Sequence, residues 1–176
     1  GSYISYGSGW ANACNTPWRL YKHYGHEGGI SNPLIARWPA ALGKGIRHEP
    51  AHLIDLMATC VDVAGAKYPA EFAGHKIVPM EGRSLRSLLA PPSGAPAPSS
   101  PRLLAWEHEG NRAIREGRWK LVSLAAAPWE LYDMDSDRLE MKNLAASQPK
   151  RVEDMSAKWE AWAKRTHVFP QPSRSR

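Results

Sequence analysis

The chain has 176 residues, enough for one ordinary domain or a piece of a larger one, with 43% apolar and 23% charged residues. Its formal charge is +6, but the basic residues are dispersed apart from the tail Arg174-Ser175-Arg176, so no stripe of the kind that grips nucleic acid is expected. No apolar run approaches the ~18 residues of a membrane span, Gly1 to Gly9 lacks the basic and apolar regions of a signal peptide, and two cysteines without a C-x-x-C demand no disulfide.

In chain order, residues 1–29 read as irregular, rich in Gly, Asn, Pro and Trp with no period. Pro33 to Pro39, an apolar run between prolines, predicts a short buried strand. From His52 to Gly65 the residues Leu53, Leu56, Met57, Cys60, Val61 and Ala64 recur at helical steps, with Gly65 as C-cap. A second short helix is expected within Glu81–Leu89. Ala90 to Pro101 is Pro/Ala/Ser-rich and reads as a connector. Strands are predicted at Leu103–Glu107, Asn111–Arg115, Trp119–Leu124 and Trp129–Tyr132, with Glu116-Gly117 as a tight hairpin connection. The last element is a helix over about Gln148–Arg165. It carries Val152, Met155, Trp159 and Trp162 on one face, which is expected to pack on the preceding sheet.

The densest polar cluster runs from Arg19 to Gly29. Lys22 can bind an anionic oxygen as a point charge, His23 or His26 can be acid, base or ligand, and Gly28-Gly29 allow close backbone approach. A polar loop facing solvent is the reading that stands beside this one. His23-x-x-His26-Glu27 is neither H-E-x-x-H nor H-x-x-E-H, and its glycines disfavour a zinc-ligand helix. Asp133 to Asp137 starts like a calcium loop, but Arg138 stands where Gly is needed and Leu144 where Glu is needed, so a turn is expected. His108 reads equally as a structural or a substrate-facing residue. Cys14 and Cys60 read as buried small hydrophobes.

The stretch Trp18-Arg19-Leu20-Tyr21-Lys22-His23-Tyr24-Gly25-His26-Glu27-Gly28-Gly29-Ile30, followed by Pro33-Leu34-Ile35, resembles a signature of bacterial arylsulfatases. So do His52 to Thr59, Trp106 to Ala113, Trp119 to Val122 and Trp129 to Asp133, all in family order. The resemblance runs from about Gly9 to Lys164. It implies an α+β chain: residues 1–90 as the end of an alkaline-phosphatase-like α/β domain, 91–101 as connector, 102–169 as a small antiparallel sheet with a packed helix, and 170–176 as a basic tail. It also implies that Lys22 binds the sulfate ester, that His108 belongs to the substrate pocket, and that Glu27, Gly28 and Gly29 shape the loop presenting Lys22.

The family's formylglycine nucleophile arises in a C/S-x-P-S-R context, and its calcium is held by an Asp-Asp and an Asp-Asn pair. None of these occurs in the 176 residues. The chain is therefore expected to be a C-terminal segment, inactive alone, whose partner is the N-terminal catalytic portion of the same protein. Its expected substrate is a sulfate ester and its expected compartment periplasmic or secreted. No cofactor is expected on the segment itself, with calcium and formylglycine implied for the whole protein. The alternatives are a non-catalytic remnant that binds anions or sulfated glycans, and a phosphatase or phosphonate-ester hydrolase relative.

Overall fold

A computed structural model describes residues 7–89 and 102–169 of the chain. The connector 91–101 and the tail 170–176 lie outside the described residues. By compactness the chain divides into two units, one formed by Gly1–Pro33 with Pro98–Arg176, the other by Leu34–Ala97.

The first unit is built on a four-stranded antiparallel meander: β3 (Leu103–His108), β4 (Asn111–Glu116), β5 (Trp119–Ser123) and β6 (Glu130–Asp133), paired in that order. These are the four predicted strands, with ends moved by a residue or so. Gly117, at φ 59, makes the two-residue turn between β4 and β5, a conformation that costs glycine little. Side chains alternate between the two faces of the sheet. One face carries Ala105, Ile114, Leu121 and Leu131, paired across the strands and buried. The helix α5 (Pro149–Arg165) packs there through Met155, Trp159 and Ala163, with Val152 and Trp162 partly buried beside them. Proline at its start suits a helix whose first N–H groups have no partner anyway. Trp159 is fully buried, and its indole N–H donates to the Trp106 carbonyl of the edge strand at 3.0 Å. The predicted docking of the helix is thus observed. Met134 and the turn after β6 follow as expected, with Arg118 ion-paired to Asp133.

The opposite face presents Ala113, Val122 and Tyr132, and a sheet buried on both faces needs a second cover. It gets one from the N-terminal segment. This segment contains α1 (Ser8–Asn15) and the single turn α2 (Glu27–Ile30), two helices where irregular chain was expected. Gly25 lies so near the sheet that a Cβ there would sit 2.8 Å from the Ala113 Cβ.

The second unit holds α3 (Ile54–Val63), the two-residue hairpin strands β1 (Glu71–Phe72) and β2 (His75–Lys76), and α4 (Arg86–Leu89). The two helices match expectation. Asp55 is buried at the start of α3. It accepts hydrogen bonds from His52 N at 2.8 Å and Arg83 N at 2.9 Å, tying the helix to the segment before α4. One sequence reading is corrected here. Residues 33–39 form no strand, and Ile35 is 92% exposed, because no strand among the described residues lies beside it to pair. The apolar stripe of α3 is uncovered in this unit, with Leu53, Leu56 and Met57 exposed. A second correction concerns the cysteines. Cys14 and Cys60 are free and exposed rather than buried.

Candidate active-site segment

The loop Arg19–Gly29 covers the polar half of the sheet's second face, and its conformation follows from where its polar atoms go. Gly28 N donates to Arg19 O at 2.9 Å and Gly29 N to His26 O at 2.8 Å, closing the loop on itself. A Cβ on Gly28 would come within 2.0 Å of Leu20 O, and one on Gly29 within 2.1 Å of Tyr24 O, so both glycines face backbone of the same loop. Two of its residues, Leu20 at φ 63 and His23 at φ 85, hold left-handed backbone.

Beneath the loop lies a buried ion network. Lys120, fully buried on β5, places Nζ 2.8 Å from a Glu27 carboxylate oxygen and 2.8 Å from one of Glu140. Glu27 N donates to the other Glu140 oxygen at 2.9 Å, and Arg138 stands 3.6 Å from Glu27. Burial works to raise the Glu27 carboxyl, but Lys120 and neighbouring arginines hold it below its ordinary value. Burial raises the Glu140 carboxyl, with Lys120 pulling against it. The asymmetry is physical: one ammonium serves two carboxylates in a dry site, so one of them retains its proton more readily.

A second network fixes the loop's first residue. Arg19 Nη1 donates to Glu130 Oε2 at 2.8 Å and to the Tyr132 hydroxyl at 2.8 Å, and Tyr132 in turn donates to Glu130. Burial, with the Glu130 bond and charge, pushes the Tyr132 hydroxyl well above its ordinary value. These groups wall an open cleft of about 360 Å³ together with Glu140, Met141 and Asn143.

His26 is fully buried, with Nε2 3.4 Å from Glu130 Oε2 and Nδ1 without a hydrogen-bond partner. Burial, aided by the Arg19 charge, lowers its pKa to about 4, against the pull of Glu130. The folded protein therefore binds fewer protons than the unfolded chain between that value and the ordinary 6.5. Stability from this group is intact above pH 6.5 and is lost as pH falls towards 4, by roughly 3 kcal/mol at most. Glu140, with its raised carboxyl, acts in the opposite direction. The comparison must therefore be between the parent chain and His26→Gln. Urea denaturation across this range is expected to show the variant losing less stability than the parent as pH falls from 6.5 towards 4. Parallel curves would show that His26 titrates freely.

Of the residues singled out from sequence, Lys22 is exposed on the loop, Glu27 is buried in the ion network, and Gly28 and Gly29 lie at the loop's closure. His108 is exposed at the end of β3, where its ring stacks on His23 with centroids 5.1 Å apart. His108 Nε2 is 3.1 Å from His23 Nδ1, and Glu109 Oε2 is 3.0 Å from the same nitrogen. Lys120, Glu140 and Asn111 were not singled out from sequence. Asn111, 8% exposed, donates to His23 O and His108 O at 3.1 Å each and accepts from Ala125 N at 3.2 Å. One side chain thus clasps the loop and the β3–β4 turn.

No family model matches the chain. It is 31% identical, over 97% of its own length, to an uncharacterised sulfatase of the fission yeast Schizosaccharomyces pombe, covering 32% of that protein. It is 32% identical to human arylsulfatase A over 61% of this chain, covering 20% of that protein. Among solved structures, one from a Bacteroides thetaiotaomicron locus for glycosaminoglycan metabolism superposes with a TM-score of 0.67. That match covers 84% of this chain and 32% of the other at 23% identity, and shows likeness of fold. The chain thus spans about a third or less of the length of these relatives.

Proposed function

We propose, from the premise that this chain is a segment of the sulfatase family, that the whole protein hydrolyses sulfate esters and that this segment supplies the sulfate-binding lysine, Lys22. The observation that carries the reading is the contrast inside one loop. Glu27 and Arg19 are locked into networks with the sheet, and Lys22 stands exposed between them. A cation on a braced loop can meet a sulfate monoester with little reorganisation, and can offset charge that grows on the leaving oxygen. Loop and sheet together form the brace, and the resemblance of the Arg19–Gly29 stretch assigns the sulfate contact to Lys22.

Calcium takes six to eight hard oxygen ligands. The carboxylates under the loop do not suit it, because Glu27 and Glu140 are taken by Lys120, Glu130 by Arg19 and Asp133 by Arg118. Calcium and the formylglycine nucleophile are accordingly assigned to sequence outside these 176 residues. His108 would line the substrate pocket beside Lys22. Leu34, Ile35 and Trp38, exposed in the second unit, are suited to cover by the rest of the α/β domain. No helix among the described residues is long and apolar enough to cross a membrane, and a secreted or periplasmic home is our reading from the family.

The test is hydrolysis of an aryl sulfate with added calcium. The 176-residue chain alone is expected to give no turnover above buffer, and the same chain joined to its catalytic portion is expected to give turnover. Turnover by the chain alone would overturn the division of labour. A joined protein that cleaves aryl phosphates and not aryl sulfates would favour the phosphatase alternative.

A further inference from the structure

We propose that His23, His108 and Glu109 form a site for a divalent transition metal of the kind zinc represents, held between the Arg19–Gly29 loop and the β3–β4 turn. The proposal stands on geometry alone and does not depend on the sulfatase reading.

Three donor atoms converge there. His23 Nδ1 lies 3.1 Å from His108 Nε2 and 3.0 Å from Glu109 Oε2, and one ligand atom from each residue lies within 4.8 Å of the other two. Tetrahedral zinc with bonds of ~2.0–2.1 Å sets its ligand atoms about 3.3 Å apart. Proton placement points the same way. Nδ1 of His23 has either one proton or one lone pair, yet it faces two partners. If it is deprotonated, its lone pair meets a carboxylate. If it is protonated, its one hydrogen cannot serve both the carboxylate and the neighbouring imidazole. A cation at the centre uses all three lone pairs at once. The carboxylate also decides the sign of the ligand, since Glu109 would repel a sulfate or phosphate placed between the two rings. Imidazole and carboxylate donors suit zinc, whereas calcium prefers oxygen alone.

The site is also held in place before any ion arrives. Asn111 grips the backbone carbonyls of His23 and His108, and Glu107 accepts from Gly110 N at 2.7 Å within the β3–β4 turn. His23 at φ 85 and Glu109 at φ 54 both keep left-handed backbone, which is unfavourable for non-glycine residues and persists where surroundings impose it. All three side chains are exposed, so an ion has a path in and a fourth position open to water.

The test uses the full chain with Cys14→Ser and Cys60→Ser, which removes competing thiolates, titrated with zinc against a chromophoric chelator at low micromolar concentration. One zinc per chain is expected. His108→Ala, and His23→Asn, which tolerates the left-handed backbone, should each weaken binding by about 100-fold. Asn111→Ala, which touches no ion, should weaken it about tenfold by loosening the two histidines. His75→Ala, at an exposed histidine in the other unit, serves as control and should change nothing. Circular dichroism of each variant shows that the fold is kept. Zinc affinity within twofold of the parent in both His108→Ala and His23→Asn overturns the proposal. So does saturable binding of inorganic sulfate, lost in the same variants, with no zinc bound.

Discussion

Replacing Lys22 with alanine in the protein completed with its catalytic portion is expected to lower turnover of an aryl sulfate about a hundred- to a thousandfold, ~3–4 kcal/mol of lost transition-state stabilisation. Charge on the leaving oxygen grows as the S–O bond breaks, so kcat should fall further than KM rises. Lys22→Arg should also be impaired, because a planar fork does not replace a compact ammonium. The structure makes the experiment interpretable. Lys22 is exposed and outside both networks that brace the loop, so its loss should leave the melting temperature nearly unchanged. Near-normal turnover by Lys22→Ala would remove the residue from the site while leaving the family assignment standing.

The second large effect is on stability. Lys120→Met is expected to destabilise the sheet unit by about 3–5 kcal/mol, because it strands two carboxylates in the interior. Glu27 and Glu140 are 4% and 2% exposed, and Arg138 at 3.6 Å is a poor substitute for an ammonium at 2.8 Å. The deficit should shrink as pH falls. Without Lys120 both carboxyls have raised folded pKa values, so the folded state takes up protons more readily than the unfolded chain. Urea denaturation at two pH values reads both effects. A deficit below about 1 kcal/mol, or one independent of pH, would mean that water rather than Lys120 solvates these groups.

Local pattern made the sheet and the last helix legible in the sequence. Alternation over four short runs and the spacing of Met155, Trp159 and Trp162 each record a single buried face. Lys120 carries no such signal. It lies inside a strand at a position that reads as solvent-facing, and the partners that make it tolerable are Glu27, 93 residues away, and Glu140. Nothing periodic links them. The same holds for Asn111, whose role depends on two carbonyls brought together by the fold. The run 33–39 misled for the reverse reason. Its composition suits a buried strand, but the run forms a strand only with neighbours to pair, and none is among the described residues. Lys22 was found through resemblance. Its exposed place on the loop would not alone have singled it out.

The distribution of tryptophan has a spectroscopic consequence. Trp38 apart, every tryptophan in the chain belongs to the unit built on the meander. Trp129, Trp159 and Trp162 cluster there with ring centroids 5.8 and 6.1 Å apart along the series, close enough for exciton coupling in the near ultraviolet. Intrinsic emission and near-ultraviolet dichroism therefore report chiefly on one unit, with Trp38 a minor contributor from the other, whereas far-ultraviolet signal also counts α3 of the other. Melting curves recorded by the two signals will separate wherever the units lose structure independently, and the fluorescence curve will chiefly follow the unit whose strands hold Lys120.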